Sequence, residues 1–275
     1  MEILDKLIYL YLARKHKERI AIFVNDCIGF HVICHGIYEK KEIDIILNSL
    51  SSNTFENTLI DVGANIGNHT RYFSKHFKNI IGFEPQTDLF TLLKLNTSES
   101  KNTEIYNFGL SDKESSKKIY FDDLNRMGGS YHKKAKNFEV TDLKCYDNNF
   151  QEENISFIKI DVEGHELKAL IGMKKSIKKY KPIIAFEGKK DNIREIIDLL
   201  KGYSYNQFWV PNDYSINKII KSKNYFLIII RYFFRLLSFA HKPKLIRLEN
   251  NEIINPKKDY NLVLALNQES NFKLK

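Results

Sequence analysis

Four acidic residues stand at the predicted carboxyl ends of strands. Asp61, Glu84, Asp161 and Glu187 each close a short apolar run of the kind that forms a buried strand. In an open parallel sheet, ligands bind in the crevice outside the carboxyl ends of the strands. We therefore expect these four carboxylates to converge on one binding crevice.

The turn after the first of these strands carries two glycines. Residues 61–67 read DVGANIG, and glycines here let a ligand approach the main chain and the N-terminus of the next helix. Glu84 lies about 20 residues after Asp61, at the end of the following strand, where a carboxylate binds the two hydroxyls of a ribose. The pattern predicts a nucleoside ligand, whereas a plain strand-to-helix turn is the alternative.

The residues between the glycines bear on which nucleoside is bound. A dinucleotide fingerprint that starts at Gly63 requires glycines at positions 65 and 68, where this chain has Asn65 and Asn68. Asp61 would repel a pyrophosphate but would attract the ammonium and sulfonium groups of S-adenosylmethionine. The charge argument therefore favours S-adenosylmethionine as the ligand.

Apolar runs and helical spacing alternate through the middle of the chain, which is the pattern of βαβ units. The pattern predicts an α/β fold with a mostly parallel sheet. Strands are expected at 58–61, 79–84, 104–108, 155–161, 182–187, 203–210 and 260–266, with a hairpin around 118–122 and an extended piece at 138–143.

Two regions flank this core. Residues 1–56 are expected to form an N-terminal extension that contains a β-hairpin at 20–34 and a helix at 41–50. The core occupies 57–210. Residues 211–275 are expected to hold a basic, hydrophobic insertion followed by the strand that closes the sheet.

Several ordered motifs resemble those of the FkbM family of S-adenosylmethionine-dependent methyltransferases, and together they cover roughly residues 35–210. The resemblance implies the Rossmann-like class I methyltransferase fold, with helices on both faces of the sheet. The motifs are HGIYE (35–39), LIDVGANIGNHT (59–70), GFEP (82–85), NFGLSD (107–112), FIKIDVEGHELKALIGM (157–173) and PIIAFEG (182–188).

The resemblance also implies which residues bind the methyl donor. Glu84 would bind the ribose, and three consecutive residues would contact the adenine edge: Leu110, Ser111 and Asp112. The methionine part would be held by residues of the first turn and helix, namely Asp61, Gly63, Ala64, Asn65, Gly67 and Thr70.

Catalysis with such a donor consists mainly of aligning the acceptor atom with the methyl group and removing a proton from a hydroxyl acceptor. Asp161, Glu163 and His165 follow the fourth core strand, beside the expected methyl position. His165 is the natural proton acceptor near neutral pH, and Asp161 could take that role or orient the donor's ammonium. Alternatively, Glu163 only begins the next helix and His165 is a surface residue. A divalent cation held by Asp161 and Glu187 is a weaker alternative, so no metal is expected.

The acceptor is less well determined than the donor. Residues 161–164 read DVEG, unlike the Asn/Asp-Pro-Pro-aromatic motif of amino methyltransferases that act on nucleic-acid bases, which argues against a nucleic-acid partner. The resemblance implies a hydroxyl of a saccharide, in a surface glycan or glycolipid precursor. Another small molecule, a nitrogen acceptor, and a nucleoside-binding module without turnover stay open.

Charge is unevenly distributed along the chain. The net charge is +9, and residues 211–275 hold 12 Lys and Arg against 5 Asp and Glu. The apolar run at 225–237 is interrupted by Arg231 and is too short to span a bilayer. The segment 223–244 is expected to be a lid or core helix, a helix lying on an anionic membrane, or an oligomer interface.

The cysteines and the N-terminus indicate a cellular location. Cys27, Cys34 and Cys145 lack the spacing of a disulfide framework or a thiolate metal site, and residues 1–12 do not resemble a signal peptide. We expect a cytoplasmic protein, for which a peripheral contact with the inner face of the membrane through 223–244 is an open alternative.

Overall fold

The computed structural model describes residues 20–23, 27–122, 125–130, 137–151, 154–212, 244–248 and 259–275. The helices are α1 (Cys27–His35), α2 (Lys40–Ser49), α3 (Ser52–Phe55), α4 (Asn68–Phe73), α5 (Thr87–Thr97), α6 (Tyr146–Asn149), α7 (Glu166–Gly172), α8 (Lys174–Tyr180) and α9 (Ile193–Lys201). The strands are β1 (Thr58–Val62), β2 (Asn79–Phe83), β3 (Thr103–Tyr106), β4 (Gly109–Leu110), β5 (Ser115–Asp122), β6 (Asn125–Ser130), β7 (Asn137–Lys144), β8 (Ile155–Ile160), β9 (Ile183–Gly188), β10 (Tyr205–Asn212), β11 (Lys244–Arg247) and β12 (Tyr260–Asn267).

The main sheet has eight strands in the order β11-β10-β12-β9-β8-β1-β2-β3. Strands β3, β2, β1, β8 and β9 are parallel, whereas β12 lies antiparallel between β9 and β10. From the middle of the sheet, β1, β2 and β3 follow one another towards one edge, whereas β8 and β9 follow one another towards the other. Strands β1 and β8 are therefore neighbours in the sheet although they are far apart in the sequence. The expected Rossmann-like class I fold with a mostly parallel sheet is confirmed, including the late strand that closes the sheet.

The central strands are buried on both faces because nearly all of their residues are apolar. Alternate side chains enter two layers. Leu59 and Phe157 pack in one layer with residues of α2 and α4. Ile60 and Ile158 pack in the opposite layer with residues of α7, α8 and α9. The sheet is therefore covered on both sides, and its carboxyl edge is where a ligand can enter.

A second sheet of four strands, in the order β4-β7-β5-β6, stands beside the main one. Strand β5 pairs antiparallel with both β6 and β7, so the hairpin expected around 118–122 is confirmed. This sheet places Leu110 and Ile119 at the edge of the carboxyl-end cleft.

The N-terminal extension differs from expectation in one element. Residues 27–34, predicted as part of a β-hairpin, belong to helix α1 instead. Short apolar runs do not by themselves distinguish a strand from a buried helix. Ile22 and Ile28 pack here against Ile66 and Leu89, which gives the helix an apolar surface to cover. The helix expected at 41–50 is present as α2.

The segment 223–244, interpreted above as a lid, a membrane contact or an interface, lies outside the described residues except for Lys244, where β11 begins. Within the described ranges, every helix is too short or too polar to cross a membrane.

Candidate active site

The turn between β1 and α4 approaches other backbone closely. Gly63 has φ 79° and Asn65 has φ 55°, both in the left-handed region. A Cβ atom on Gly63 would stand 2.0 Å from the carbonyl oxygen of Asp161, so a side chain has no room there. The backbone N–H groups of Gly63 and Ala64 both donate to the carbonyl oxygen of Phe83, which joins the turn to the end of β2. The turn is thereby fixed at the carboxyl ends of β1, β2 and β8.

Glu84 follows β2 and its carboxylate is almost fully buried. The backbone N–H of Asn65 donates to one carboxylate oxygen and that of Gln86 to the other, each at 2.9 Å. Burial raises the pKa of Glu84 to about 7, although these two hydrogen bonds act in the opposite direction. Each carboxylate oxygen has more than one acceptor position, so the group can still bind two further hydroxyls.

An open pocket next to Glu84 is here called the apolar cavity; its volume is about 500 Å³ when the space open to solvent is included. Leu89, Leu110, Ile119 and Val162 provide its apolar walls. A carboxylate beside apolar walls is a combination suited to the ribose and base of a nucleoside.

A second open pocket, here called the acidic cavity, adjoins the first and has a volume of about 780 Å³ when the space open to solvent is included. Four residues line both, namely Gly63, Asn65, Asp161 and Glu163, so the two cavities are direct neighbours and together are called the cleft. The acidic cavity is also lined by Tyr38, Glu39, Asn68, His69, Lys159, Glu187 and Asn261.

A buried lysine lies beneath the cleft. Lys159, on β8, is 3% exposed, and its Nζ lies 3.1 Å from Asp61 Oδ1 and 3.6 Å from Asp161 Oδ2. The ammonium also donates to the carbonyl oxygen of Gly63 at 3.3 Å. Burial by itself lowers the pKa of Lys159, but Asp61 and Asp161 outweigh it and hold the pKa above its ordinary value. The sequence interpretation of the site did not include this lysine.

Asp61 and Thr70 lie below the surface of the cleft. Asp61 is fully buried, and its second carboxylate oxygen accepts a hydrogen bond from Thr70 Oγ1 at 2.7 Å. Neither residue lines either cavity. Gly67 also lies away from the cleft, since a Cβ there would meet Leu93 of α5 at 2.8 Å. Of the predicted methionine-binding residues, the cleft wall is formed by Gly63, Ala64 and Asn65.

His165 faces the apolar cavity. Its ring is nearly buried at the start of α7, and Nε2 lies 3.0 Å from the hydroxyl of Ser111. That hydroxyl also donates to Asp112 Oδ1 at 2.9 Å. Of the three residues predicted at the adenine edge, Leu110 lines the apolar cavity. Ser111 contacts His165, and Asp112 contacts Ser111.

Three carboxylates come together on the wall of the acidic cavity, where it adjoins the apolar cavity. Asp161, Glu163 and Glu187 place oxygens within 4.8 Å of one another. Burial, and then the neighbouring charges of Asp161 and Glu163, raise the pKa of Glu187 to about 8. Lys189 pairs with Glu163 and, at 3.1 Å, with Glu187. Because this ammonium already neutralises part of the cluster, we assign no metal to these residues.

Glu39 is a site residue that the sequence interpretation missed. It has φ 53° and a side chain only 13% exposed, and Asn261 on β12 donates to its Oε1 at 2.9 Å. His69 Nε2 lies 4.0 Å from Glu39 Oε2 and 3.0 Å from the carbonyl oxygen of Tyr38. Glu39 and His69 both fall inside the motifs quoted above, which was the available signal. Asn261 lies outside all of them.

Comparison with known proteins identifies the family. Residues 61–206, more than half of the chain, match the model of the methyltransferase FkbM domain. Over 139 residues the chain is 32% identical to the hexuronic acid methyltransferase AglP of Haloferax volcanii, which covers 49% of this chain and 57% of that protein. The chain thus matches little more than half the length of this relative.

Solved structures with a similar fold have low sequence identity. The crystal structure of methyltransferase FkbM from Methylobacillus flagellatus KT is 16% identical with a TM-score of 0.41, over 76% of this chain and 55% of that one. An rRNA methylase from Streptococcus thermophilus is 12% identical with a TM-score of 0.42, over 84% and 99% of the two chains. The family model, which spans the glycine turn, Glu84 and the strands around the cleft, is what decides the assignment: this chain belongs to the FkbM methyltransferase family.

Proposed function

We propose that the protein transfers the methyl group of S-adenosylmethionine to a hydroxyl of a saccharide. The observation that carries this proposal is the pair of adjoining cavities at the carboxyl ends of β1 and β8, one with Glu84 beside apolar walls and the other polar and acidic. Such a cleft can hold a donor and an acceptor side by side, which a simple nucleoside-binding module does not require.

The residues of the cleft fit the donor. Glu84 would bind the ribose hydroxyls, Leu110 and Val162 would flank the base, and the turn at 63–65 would hold the methionine part. Asp161 lines both cavities, so its negative charge faces the region between them. When bound, the donor supplies a methyl group on a positively charged sulfur, which is already a good leaving group.

The acidic cavity fits an acceptor that carries many hydroxyls. Tyr38, Asn68, His69 and Asn261 bring polar groups to its wall, and such groups determine the orientation of a small polar ligand. The relative from Haloferax volcanii is named for methylation of a hexuronic acid. We therefore propose a saccharide acceptor, in a surface glycan or a glycolipid precursor.

An acceptor on a lipid carrier would bring the cytoplasmic protein to the inner face of the membrane. Residues 223–244 are the proposed contact because they combine apolar residues with Arg231 and Arg235. Flotation of the full chain with vesicles of anionic lipid should exceed that of a variant with both arginines changed to glutamate. Equal flotation of the two would remove the membrane from the proposal.

The proposed function is tested in two steps. Calorimetric titration should show binding of S-adenosylmethionine and S-adenosylhomocysteine and no binding of NAD; selective binding of NAD would overturn the donor. Transfer of labelled methyl is then measured to glucuronic acid, galacturonic acid, glucose, glucosamine and oligoribonucleotides, and the product is located by mass spectrometry. Transfer only to an amine or to the RNA would overturn the saccharide hydroxyl, and donor binding without any transfer would favour a binding module.

A further inference from the structure

The proposed reaction needs a base on the acceptor side of the cleft. If the ribose lies on Glu84, the base of the nucleoside fills the apolar cavity, and the acceptor approaches from the acidic cavity across Gly63 and Asp161. His165 lines the apolar cavity, and its Nε2 is hydrogen-bonded to Ser111. His165, the first of the two residues predicted from sequence as the base, is therefore on the side where the nucleoside is expected, whereas Asp161, the alternative, lines both cavities.

Resting on the proposed function, we propose that Glu39 is the catalytic residue that takes the proton of the acceptor hydroxyl. In this step the acceptor oxygen forms a bond to the methyl carbon, and the bond between that carbon and sulfur breaks. Its electron pair goes to sulfur, which becomes a neutral thioether, and the hydroxyl proton moves to the Glu39 carboxylate. Charge and atoms balance, since one cation and one carboxylate are consumed together.

The position of Glu39 is fixed from several elements. Its backbone adopts φ 53°, a conformation that a non-glycine residue keeps only when its surroundings impose it, and such residues cluster at functional sites. Asn261, from β12 on the other side of the cavity, donates to Oε1. His69, from α4, stands 4.0 Å from Oε2. The carboxylate is thus held at the cavity wall before any acceptor arrives, as efficient proton transfer requires.

The charges around Glu39 give its carboxylate a suitable affinity for protons. Burial raises its pKa to about 7, with further contributions from Asp161 on the cavity wall and Glu42 in the first turn of α2, the helix that Glu39 precedes. Lys159 and the amide of Asn261 act in the opposite direction. A general base works best when its pKa lies near the operating pH.

The imidazole of His69 does not compete for the proton. Burial, and then the charge of Lys159, lower the pKa of His69 to about 4, so the ring is neutral near pH 7. Its Nε2 is already within hydrogen-bond distance of the carbonyl oxygen of Tyr38. Of Glu39 and His69, Glu39 is therefore the group able to gain and release a proton near neutral pH. Glu187, which lines the same cavity, is already paired with Lys189.

One test needs no acceptor. Glutamate carboxyl carbons are labelled with ¹³C, and the Glu39 resonance is assigned by its absence in Glu39→Gln. In the complex with S-adenosylhomocysteine the resonance should titrate with a midpoint near 7. In the complex with S-adenosylmethionine, which carries one more positive charge on sulfur, the midpoint should be lower by about one pH unit. The same midpoint in both complexes would place Glu39 away from the methyl group and overturn the proposal.

A second test measures transfer to the best saccharide acceptor of the panel. Glu39→Gln should lower kcat by about 10²–10⁴-fold, as expected for loss of a general base. It should bind S-adenosylhomocysteine within twofold of the wild type and lose the rise of kcat with pH around 7. The matched control is Glu195→Gln, which removes an exposed carboxylate from α9, away from both cavities, and should stay within twofold.

The outcomes separate this inference from the proposed function. Failure of the wild type to bind the donor, or to methylate any saccharide, contradicts the proposed function. A wild-type enzyme that is active while Glu39→Gln retains its rate contradicts only the role of Glu39. A loss of 10²-fold or more in His165→Ala, combined with an active Glu39→Gln, would assign the base to His165.

Discussion

Replacing Lys159 with methionine would test whether a buried charge cluster stabilises the cleft. Lys159 is 3% exposed, Asp61 is fully buried, and Nζ and Oδ1 are 3.1 Å apart. Without the ammonium, Asp61 keeps its hydrogen bond from Thr70 but loses its neutralising charge. Removing one partner of a buried ion pair costs about 3–5 kcal/mol. We expect Lys159→Met to lower the free energy of unfolding by this amount.

The matched control is an ion pair at the surface. Arg194 and Asp198, one turn apart on α9, are 3.9 Å apart and have side chains 66% and 61% exposed. Exposed pairs contribute about 1 kcal/mol or less because water and salt screen them. Arg194→Met should therefore cost much less than Lys159→Met, although both changes remove one positive charge.

The measurement is urea unfolding at pH 7, followed by circular dichroism and by the fluorescence of Trp209, the single tryptophan. The pKa of Lys159 is raised in the folded state, so its stabilisation is complete below the ordinary lysine pKa and is lost only as pH rises through the folded value. At pH 7 the stabilisation by the Lys159 ammonium is therefore fully present. A double variant, Asp61→Asn with Lys159→Met, should recover part of the loss. The reasoning fails if Lys159→Met costs no more than the Arg194 control.

Three further predictions follow from the cleft. Glu84→Gln should weaken S-adenosylhomocysteine binding by about 10–100-fold. Because the pKa of Glu84 is about 7, the affinity of the wild type should rise from pH 6 to 8, while that of the variant stays constant. Calorimetry that shows the same pH dependence for both proteins would contradict this. Gly63→Ala should destabilise the protein by about 1–3 kcal/mol or more, whereas Gly202→Ala, at φ −64°, should change little; equal melting temperatures would count against the strained turn. As Glu39 and Glu187 ionise between pH 6 and 9, they should repel the carboxylate of glucuronic acid, so its KM should rise relative to that of glucose. A constant ratio of the two KM values would show that the charge of the cavity does not affect acceptor binding.

The parallel core could be predicted because its strands are continuous apolar runs that end in acids. Glu84 and Asp161 do meet at one cleft, as the strand ends required. The helix α1 could not be distinguished from a strand, since a short apolar segment is compatible with both and its packing partners decide.

The charges below the cleft were harder to predict. Asp61 was expected to face a ligand, but Lys159, in the middle of a buried strand, pairs with it instead. Nothing in the spacing of the two residues identifies them as partners, because they belong to different strands of the sheet. Glu39 and Asn261 meet across 222 residues of sequence, so their contact is a property of the assembled fold and not of any motif.

The late position of β12 in the chain affects the order in which the two cavities form during synthesis. Residues lining the apolar cavity all lie between Val62 and His165, whereas the acidic cavity also needs Asn261. Synthesis proceeds from the N-terminus, so a nascent chain can build the first cavity while the second still lacks a wall. Until the late strand inserts beside β9, that edge is unpaired and Glu39 has no amide to hold it. The protein would then become able to catalyse the reaction only when β12 inserts. The same step would protect the exposed edge of β9 from pairing with other chains.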